Sequence, residues 1–383
     1  ISISKSTFQE LRPRFVLYKS TLAHRICICV HHENIHLLIN ALSKHVTGLK
    51  AGDLSAFTSM LICDVDDEKC MSSKCIICKN YFKDHITEKV VDKNVQIGWF
   101  QWSNESGRAR KEEFEVDDCV KVLKGKIKSY LWHVFIKHEQ SNYFEYIKQN
   151  AGDKTVVIQV DYAENFTMDE QNQIQSAHWS KKQLSIFTAY AWCSGSGGDV
   201  GFSFGLVSNN TTHDKFSVAT CLDVIVNEIK SYVPDVNEII FFSDGAASQF
   251  KNRFLLRYLT YMMDDNAVDI SWNFFASSHG KGVVDGIGGT LKRLVWSEMM
   301  AGKRCTSASD FVQICNEKTK TIIVGQITNA QIDVTIAKLS YMFDQTCSVP
   351  VIRKLHSIKV LHKNIIECSS YTNCTQTFVF AFK

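Results

Sequence analysis

The rhythm of apolar and polar positions changes at about residue 154. Before it, short apolar and polar segments alternate across residues 1–60. In HENIHLLINALSKHV (32–46), Ile35, Leu38, Ile39 and Leu42 fall at helical spacing and predict an amphipathic helix. Residues 61–82 are rich in cysteine and carry no period. The stretch 120–151 is again helical in spacing, with Gly125 as the one point of interruption. Beyond 154, β-branched and aromatic runs alternate with amphipathic ones. Strands are predicted at 155–162 (TVVIQVDY), 183–192 and 200–209, the last two separated by the turn-prone CSGSGGD. A helix (214–233), a strand (238–244), a helix (252–265), a strand (269–278) and a helix (283–302) follow. Residues 305–383 read as a further helix, ASDFVQICNEKT, and short strands such as VPVIRKLHSIKVL.

Three successive strands followed by strands alternating with helices predict an α/β fold: a mixed sheet with helices on both faces. A mainly helical, cysteine-rich N-terminal region precedes it. The expected division is 1–152, 153–305 and 306–383.

Composition adds limits rather than identity. The 383 residues are 45% hydrophobic and 22% charged, a mix that builds a core rather than a disordered chain. The net charge of +3 does not announce nucleic acid, so any such partner must be met by a local patch. No apolar run is long enough to span a bilayer, and no signal peptide is visible. The first residue is Ile1, which leaves room for an upstream segment.

Candidate chemistry centres on three acids. Asp161 ends the apolar run VVIQV, and Asp244 ends EIIFFS. Each is a carboxylate at a strand end, costly to bury unless it binds a cation or accepts several hydrogen bonds. Read alone, either could cap a turn or a helix. Gly245, Ala246 and Ala247 after Asp244 let a ligand approach the backbone. Asp285 lies in SSHGKGVVDGIGGTLKR, where it opens a helix. A phosphate-cradling glycine loop is the rival reading, but the P-loop lysine is not in place. Gly289 would leave room beside the acid, and Lys292 and Arg293 would face phosphates. Glu298 is the alternative third acid, and Glu164 is a loop carboxylate. Two strand-end aspartates with a helix-borne acid are the constellation that binds two divalent ions for phosphodiester chemistry. Around them, His178, Lys181, Gln249, Lys251, Asn252, Arg253, His279, Lys281, Lys292 and Arg293 are candidate DNA contacts; ordinary loop polarity is the plain alternative.

Of fourteen cysteines, Cys63, Cys70, Cys75 and Cys78 fall as C-x6-C-x4-C-x2-C, a spacing that suits tetrahedral zinc in a closed structural site. Free thiols or disulfides are the alternative. Cys27, Cys29, His31 and His32 form a second candidate cluster. Between residues 99 and 130, Trp99, Phe100, Trp102 and Tyr130 interleave with arginine and lysine, as in a DNA-contacting surface or a solvated helix face with its aromatics packed inward.

The blocks DYAENF, QSAHWSKKQ, SDGAASQFKNR and SSHGKGVVDGIGGTLKR resemble cut-and-paste DNA transposases of eukaryotic mobile elements, over about residues 154–302. The resemblance implies a ribonuclease H-like core with Asp161 as the first-strand acid, Asp244 as the fourth-strand acid and Asp285 in the helix-borne position. That last position is often glutamate in the family. It further implies magnesium or manganese as catalytic ion, transposon ends and target DNA as partners, a homo-oligomer on DNA, nuclear residence and no membrane. A ribonuclease H-like endonuclease without strand transfer and a catalytically silent DNA-binding descendant are the rival functions.

Overall fold

An unbroken apolar run, Val156 to Ile158 with Val160, explains the central strand: its side chains are buried on both sides, as a strand between helix layers requires. The computed structural model describes residues 29–103, 108–168, 182–195, 198–277, 279–280 and 282–383. It falls into two compact units, Ile1–Leu131 and Trp132–Lys383. The expected boundaries at 152/153 and 305/306 do not coincide with that division.

In the first unit, α1 (Val30–Leu42) buries Ile35, Leu38, Ile39 and Leu42, the apolar stripe seen in the sequence. It packs on an antiparallel hairpin of β1 (Gln96–Trp102) and β2 (Ala109–Glu115). Asn34 completes the contact: its side chain accepts from the Trp102 N–H at 2.7 Å and donates to the Trp102 carbonyl at 3.0 Å. The hairpin was not expected. Its second strand, ARKEEFE, is mostly charged and exposed, so no apolar alternation betrays it. Helices α2 (Leu54–Leu61), α3 (Glu68–Met71) and α4 (Tyr81–His85) lie between α1 and the hairpin along the chain. Helix α5 (Val116–Asn150) runs 35 residues through Gly125 without a break, and the division between units falls inside it.

The second unit is mixed α/β around a nine-stranded sheet, ordered β11-β10-β9-β7-β6-β3-β4-β5-β8. The strands are β3 (Thr155–Thr167), β4 (Gln183–Gly195), β5 (Gly198–Ser208), β6 (Glu238–Ser243), β7 (Asp269–Phe274), β8 (Ile322–Ile327), β9 (Ser357–His362), β10 (Ile365–Ser369) and β11 (Thr377–Ala381). β3, β4 and β5 form an antiparallel meander; β6 runs parallel to β3 and β7 parallel to β6. The C-terminal strands are not a separate layer. β8 adds to β5 at one edge, and β9 to β11 extend the other beyond β7.

One sheet face is covered by α6 (Lys215–Tyr232), α7 (Arg253–Asn266) and α10 (Asn329–Asp344), whose Leu222, Leu259 and Leu339 join Ile158, Phe241 and Trp272 in the main core. The other face carries α8 (Val283–Met300) and α9 (Ala308–Lys318), packed through Ile287, Leu291 and Phe311 against Leu184, Ile186 and Val207. The end of α5 adds Phe144 and Ile147 over Val157 and Phe242. Gly288 lets α8 lie close: a Cβ there would come within 2.6 Å of the Ala163 Cβ. Gly289, expected to make room, faces open space instead.

Candidate active site

The register of β3 with β6 decides where the first two acids lie. The last paired couple is Gln159 with Phe242; two positions further along the chain stand Asp161, still within β3, and Asp244, just beyond the end of β6. Asp285 comes from the first turn of α8, the helix that Gly288 seats against β3. The loop before that helix is drawn onto the same place. Gln159 donates to the Gly280 carbonyl at 3.1 Å, and a Cβ at Gly280 would sit 3.0 Å from the Asp244 Cβ.

Each carboxylate is held by one backbone amide. Tyr162 N–H donates to Asp161 Oδ1 at 2.8 Å, Ala246 N–H to Asp244 Oδ1 at 3.1 Å, and Gly282 N–H to Asp285 Oδ2 at 2.8 Å. Among the described residues none of the three is in an ion pair, and each keeps one oxygen without a hydrogen-bond partner. Their charges act on one another. Burial, then the Asp244 charge and more weakly that of Asp285, push the Asp161 carboxyl up to about 7. Burial and the Asp285 charge raise Asp244 as well. The three acids therefore converge, although their oxygens do not form one group with every atom within 4.8 Å of every other. Glu298 is elsewhere: it pairs with Lys303 at 3.1 Å and Lys318 at 2.7 Å near the far end of α8.

The polar residues expected to contact DNA divide. His178, Lys181 and Lys281 lie outside the described residues. Lys251 is not a surface cation. It is only 8% exposed, its ammonium lies 5.1 Å from the centre of the Phe274 ring, and burial lowers it to about 8. The chain folds it inward because the turn after Asp244 tucks Phe250 and Lys251 under the start of α7. Asn252 is consumed as the cap of α7, accepting from Phe254 and Leu255 N–H groups and donating to the Ala247 and Gln249 carbonyls. Arg253 donates to Ser348 Oγ at 3.1 Å. Lys292 and Arg293 ride on α8, Lys292 near Glu164 and Arg293 exposed beside Thr290. His279 lies against the His133 ring, with centroids 5.2 Å apart.

Gln249 brings in a residue the sequence did not mark. Its Nε2 lies 3.5 Å from His213 Nδ1, and His213 stacks on Tyr162, next to Asp161, at 4.0 Å between ring centres. His213 adopts φ +48°, a conformation a non-glycine residue rarely takes. Its setting in the polar NNTTHDK gave no signal, because only the fold stacks it on the strand.

In the first unit, the Sγ atoms of Cys63, Cys70, Cys75 and Cys78 all lie within 4.8 Å of one another, with Cys63 at 3.2 Å from Cys70 and 3.7 Å from Cys75. None is in a disulfide. The backbone N–H of Cys78 leads in lowering the Cys75 thiol to about 7, the expected behaviour of a CxxC turn whose amides point at the sulfur. The cluster could bind a metal such as zinc.

A family model described as a domain of unknown function (DUF8701) matches residues 140–372. No curated protein and no solved structure matches the chain.

Proposed function

The chain belongs to that family, whose description carries no activity, and we propose from the site that it is a DNA transposase, or a descendant of one, acting by metal-dependent phosphoryl transfer. The matched span contains all three acids and leaves out the cysteine cluster. The observation that carries the reading is the meeting of Asp161, Asp244 and Asp285 from three separate elements, where burial and mutual repulsion leave negative charge uncompensated. Strand order supports a ribonuclease H-like core. Counted from β3, the first five strands of this unit lie as 5-4-1-2-3, with the first three antiparallel and the last two parallel to the first. The resemblance of the blocks around the acids supplies the substrate: transposon ends and target DNA, met in the nucleus by a homo-oligomer.

The residues fit hard, oxygen-preferring ions. Three carboxylates each offer an oxygen that no described residue engages, and no described cation competes for them. Magnesium or manganese bound there would activate the attacking oxygen and stabilise the departing one. The protein's part is to fix the acids: Asp161 lies in the middle of β3 rather than at the expected strand end, just past the pairing with β6, Asp244 directly follows β6, and the Gly282 amide holds Asp285. Gly280 keeps the backbone low over Asp244. In the first unit, the four cysteines are assigned as a structural zinc site.

The test is cleavage and joining. With magnesium or manganese, the chain should nick plasmid DNA and join a 3′-hydroxyl oligonucleotide to it. Asp161→Asn and Asp244→Asn should each lower the rate by roughly 100-fold or more. Equal rates in wild type and Asp161→Asn would overturn the reading. Cleavage without joined product would favour the hydrolytic nuclease. The looser spacing of the acids, compared with the thiols, favours the silent DNA-binding descendant, which predicts DNA binding and no cleavage.

A further inference from the structure

The hairpin of the first unit has two unlike faces. Cross-strand pairing puts Trp99 opposite Glu112 and Gln101 opposite Arg110, and alternation adds Phe114 to the same face. Lys111 and Glu113 point the other way and neutralise each other in an ion pair. On the first face, neither Arg110 nor Glu112 is in an ion pair among the described residues. A cavity of about 670 Å³ opens over that face, within the range of small-ligand sites. Helix α5 supplies more of its wall through Asp118, Lys121, Val122 and Lys126, which follow at three- and four-residue spacing along one helix side.

The lining sorts by chemistry. Phe114 is the only aromatic side chain in the charged strand ARKEEFE, and it stays 51% exposed. The buried Trp99 backs it, with ring centres 6.2 Å apart. Lys121 is engaged by Asp117 at 2.9 Å and Asp118 at 3.1 Å and brings no spare charge. Arg110 and Lys126 remain as cations in no ion pair among the described residues, against the single carboxylate of Glu112. That excess of positive charge disfavours a quaternary ammonium, which seeks ring faces without competing cations. It suits a flat conjugated ligand that carries phosphate. Phe114, Glu112 and Arg110 succeed one another at two-residue steps, so roughly 14 Å of strand separates the first from the last, comparable to an extended nucleoside triphosphate.

We propose that this cavity binds a nucleotide. The base stacks on Phe114, Glu112 accepts from a sugar hydroxyl or a base amine, and Arg110 and Lys126 hold the phosphate. A free nucleoside phosphate and one unit of a single strand offer this same chemistry. The site lies outside the matched span 140–372 and uses none of the three acids, so it stands whether or not they cut DNA.

Titration of the full chain with two fluorescent probes tests it: ATP carrying a methylanthraniloyl label, and a short fluorescein-labelled oligothymidylate. Saturable binding of at least one is expected. It should weaken about tenfold or more in Phe114→Ala and in the double variant Arg110→Gln/Lys126→Gln, and recover in Phe114→Trp. Inorganic triphosphate should compete about tenfold or more weakly than the unlabelled nucleotide, because it has no base to stack. Asp161→Asn should bind as wild type, and circular dichroism checks the fold of each variant. Binding of the ATP alone identifies a free nucleotide as the ligand, and binding of the oligothymidylate alone identifies a strand. No saturable binding of either probe, equal binding by a folded Phe114→Ala, or equal binding by the double variant would each overturn the proposal. Triphosphate competing as well as the nucleotide would overturn it too.

Discussion

Two ionisable side chains, one half-buried and one buried, tilt the protein's stability in opposite directions with pH. Asp161, raised from the ordinary 3.8 to about 7, binds its proton more tightly folded than unfolded. Without divalent ions, its contribution is complete at low pH and is lost as pH rises from about 4 to about 7. Asp161→Asn should therefore flatten that slope in chelator and be the more stable protein at pH 8, by on the order of 1–3 kcal/mol. Urea unfolding at pH 5 and pH 8 measures it, and an unchanged slope would contradict the half-buried, uncompensated acid. Lys251, lowered from 10.5 to about 8, prefers to be neutral when folded. Its penalty is present below about 8 and fades as pH rises toward 10.5. Lys251→Met, which keeps the stem over Phe274, should raise stability at pH 7 by roughly 1–2 kcal/mol and leave it unchanged near pH 11. A loss of stability at pH 7 would mean that the ammonium has a partner.

At the scale of elements, α8 and the cysteine turn each depend on close approach. In α8, Gly288 and Gly289 are neighbours with opposite surroundings. Gly288→Ala drives a methyl into Ala163 and should cost roughly 1–3 kcal/mol, with a lower cleavage rate because Asp285 rides on the same helix. Gly289→Ala meets open space and should gain up to about 1 kcal/mol from helix propensity. Thermal unfolding of the two variants decides it; equal effects would mean that α8 does not press on β3. The cysteine turn makes a different prediction. Purified protein should carry about one zinc per chain, and Cys75→Ser or a strong zinc chelator should remove it and lower the melting temperature. Metal analysis finding no zinc in freshly purified, reduced protein would refute the assignment.

For the whole molecule, the useful comparison is between what a segment says about itself and what its neighbours impose. The stripe Ile35, Leu38, Ile39, Leu42 and the run Val156 to Val160 are legible because periodicity records which face will be buried, and the strand and helix order of 155–302 follows from it. The acids at 161, 244 and 285 and the C-x6-C-x4-C-x2-C spacing are legible for a similar reason: residue type and local setting suffice to single them out. The β1–β2 hairpin was hidden because its stabilising contacts, such as Asn34 with Trp102, come from a distant helix. Lys251 and Asn252 looked like surface groups, since composition cannot reveal that a turn folds one inward and makes the other a cap. The edge strands β8 to β11, the convergence of the acids and the stack of His213 on Tyr162 were all settled by long-range pairing. Sequence alone determined the elements whose periodicity records a buried face and singled out the candidate residues; the hairpin, and which elements became neighbours, were decided by packing, whose energy belongs to contacts between segments and is written in no single one of them.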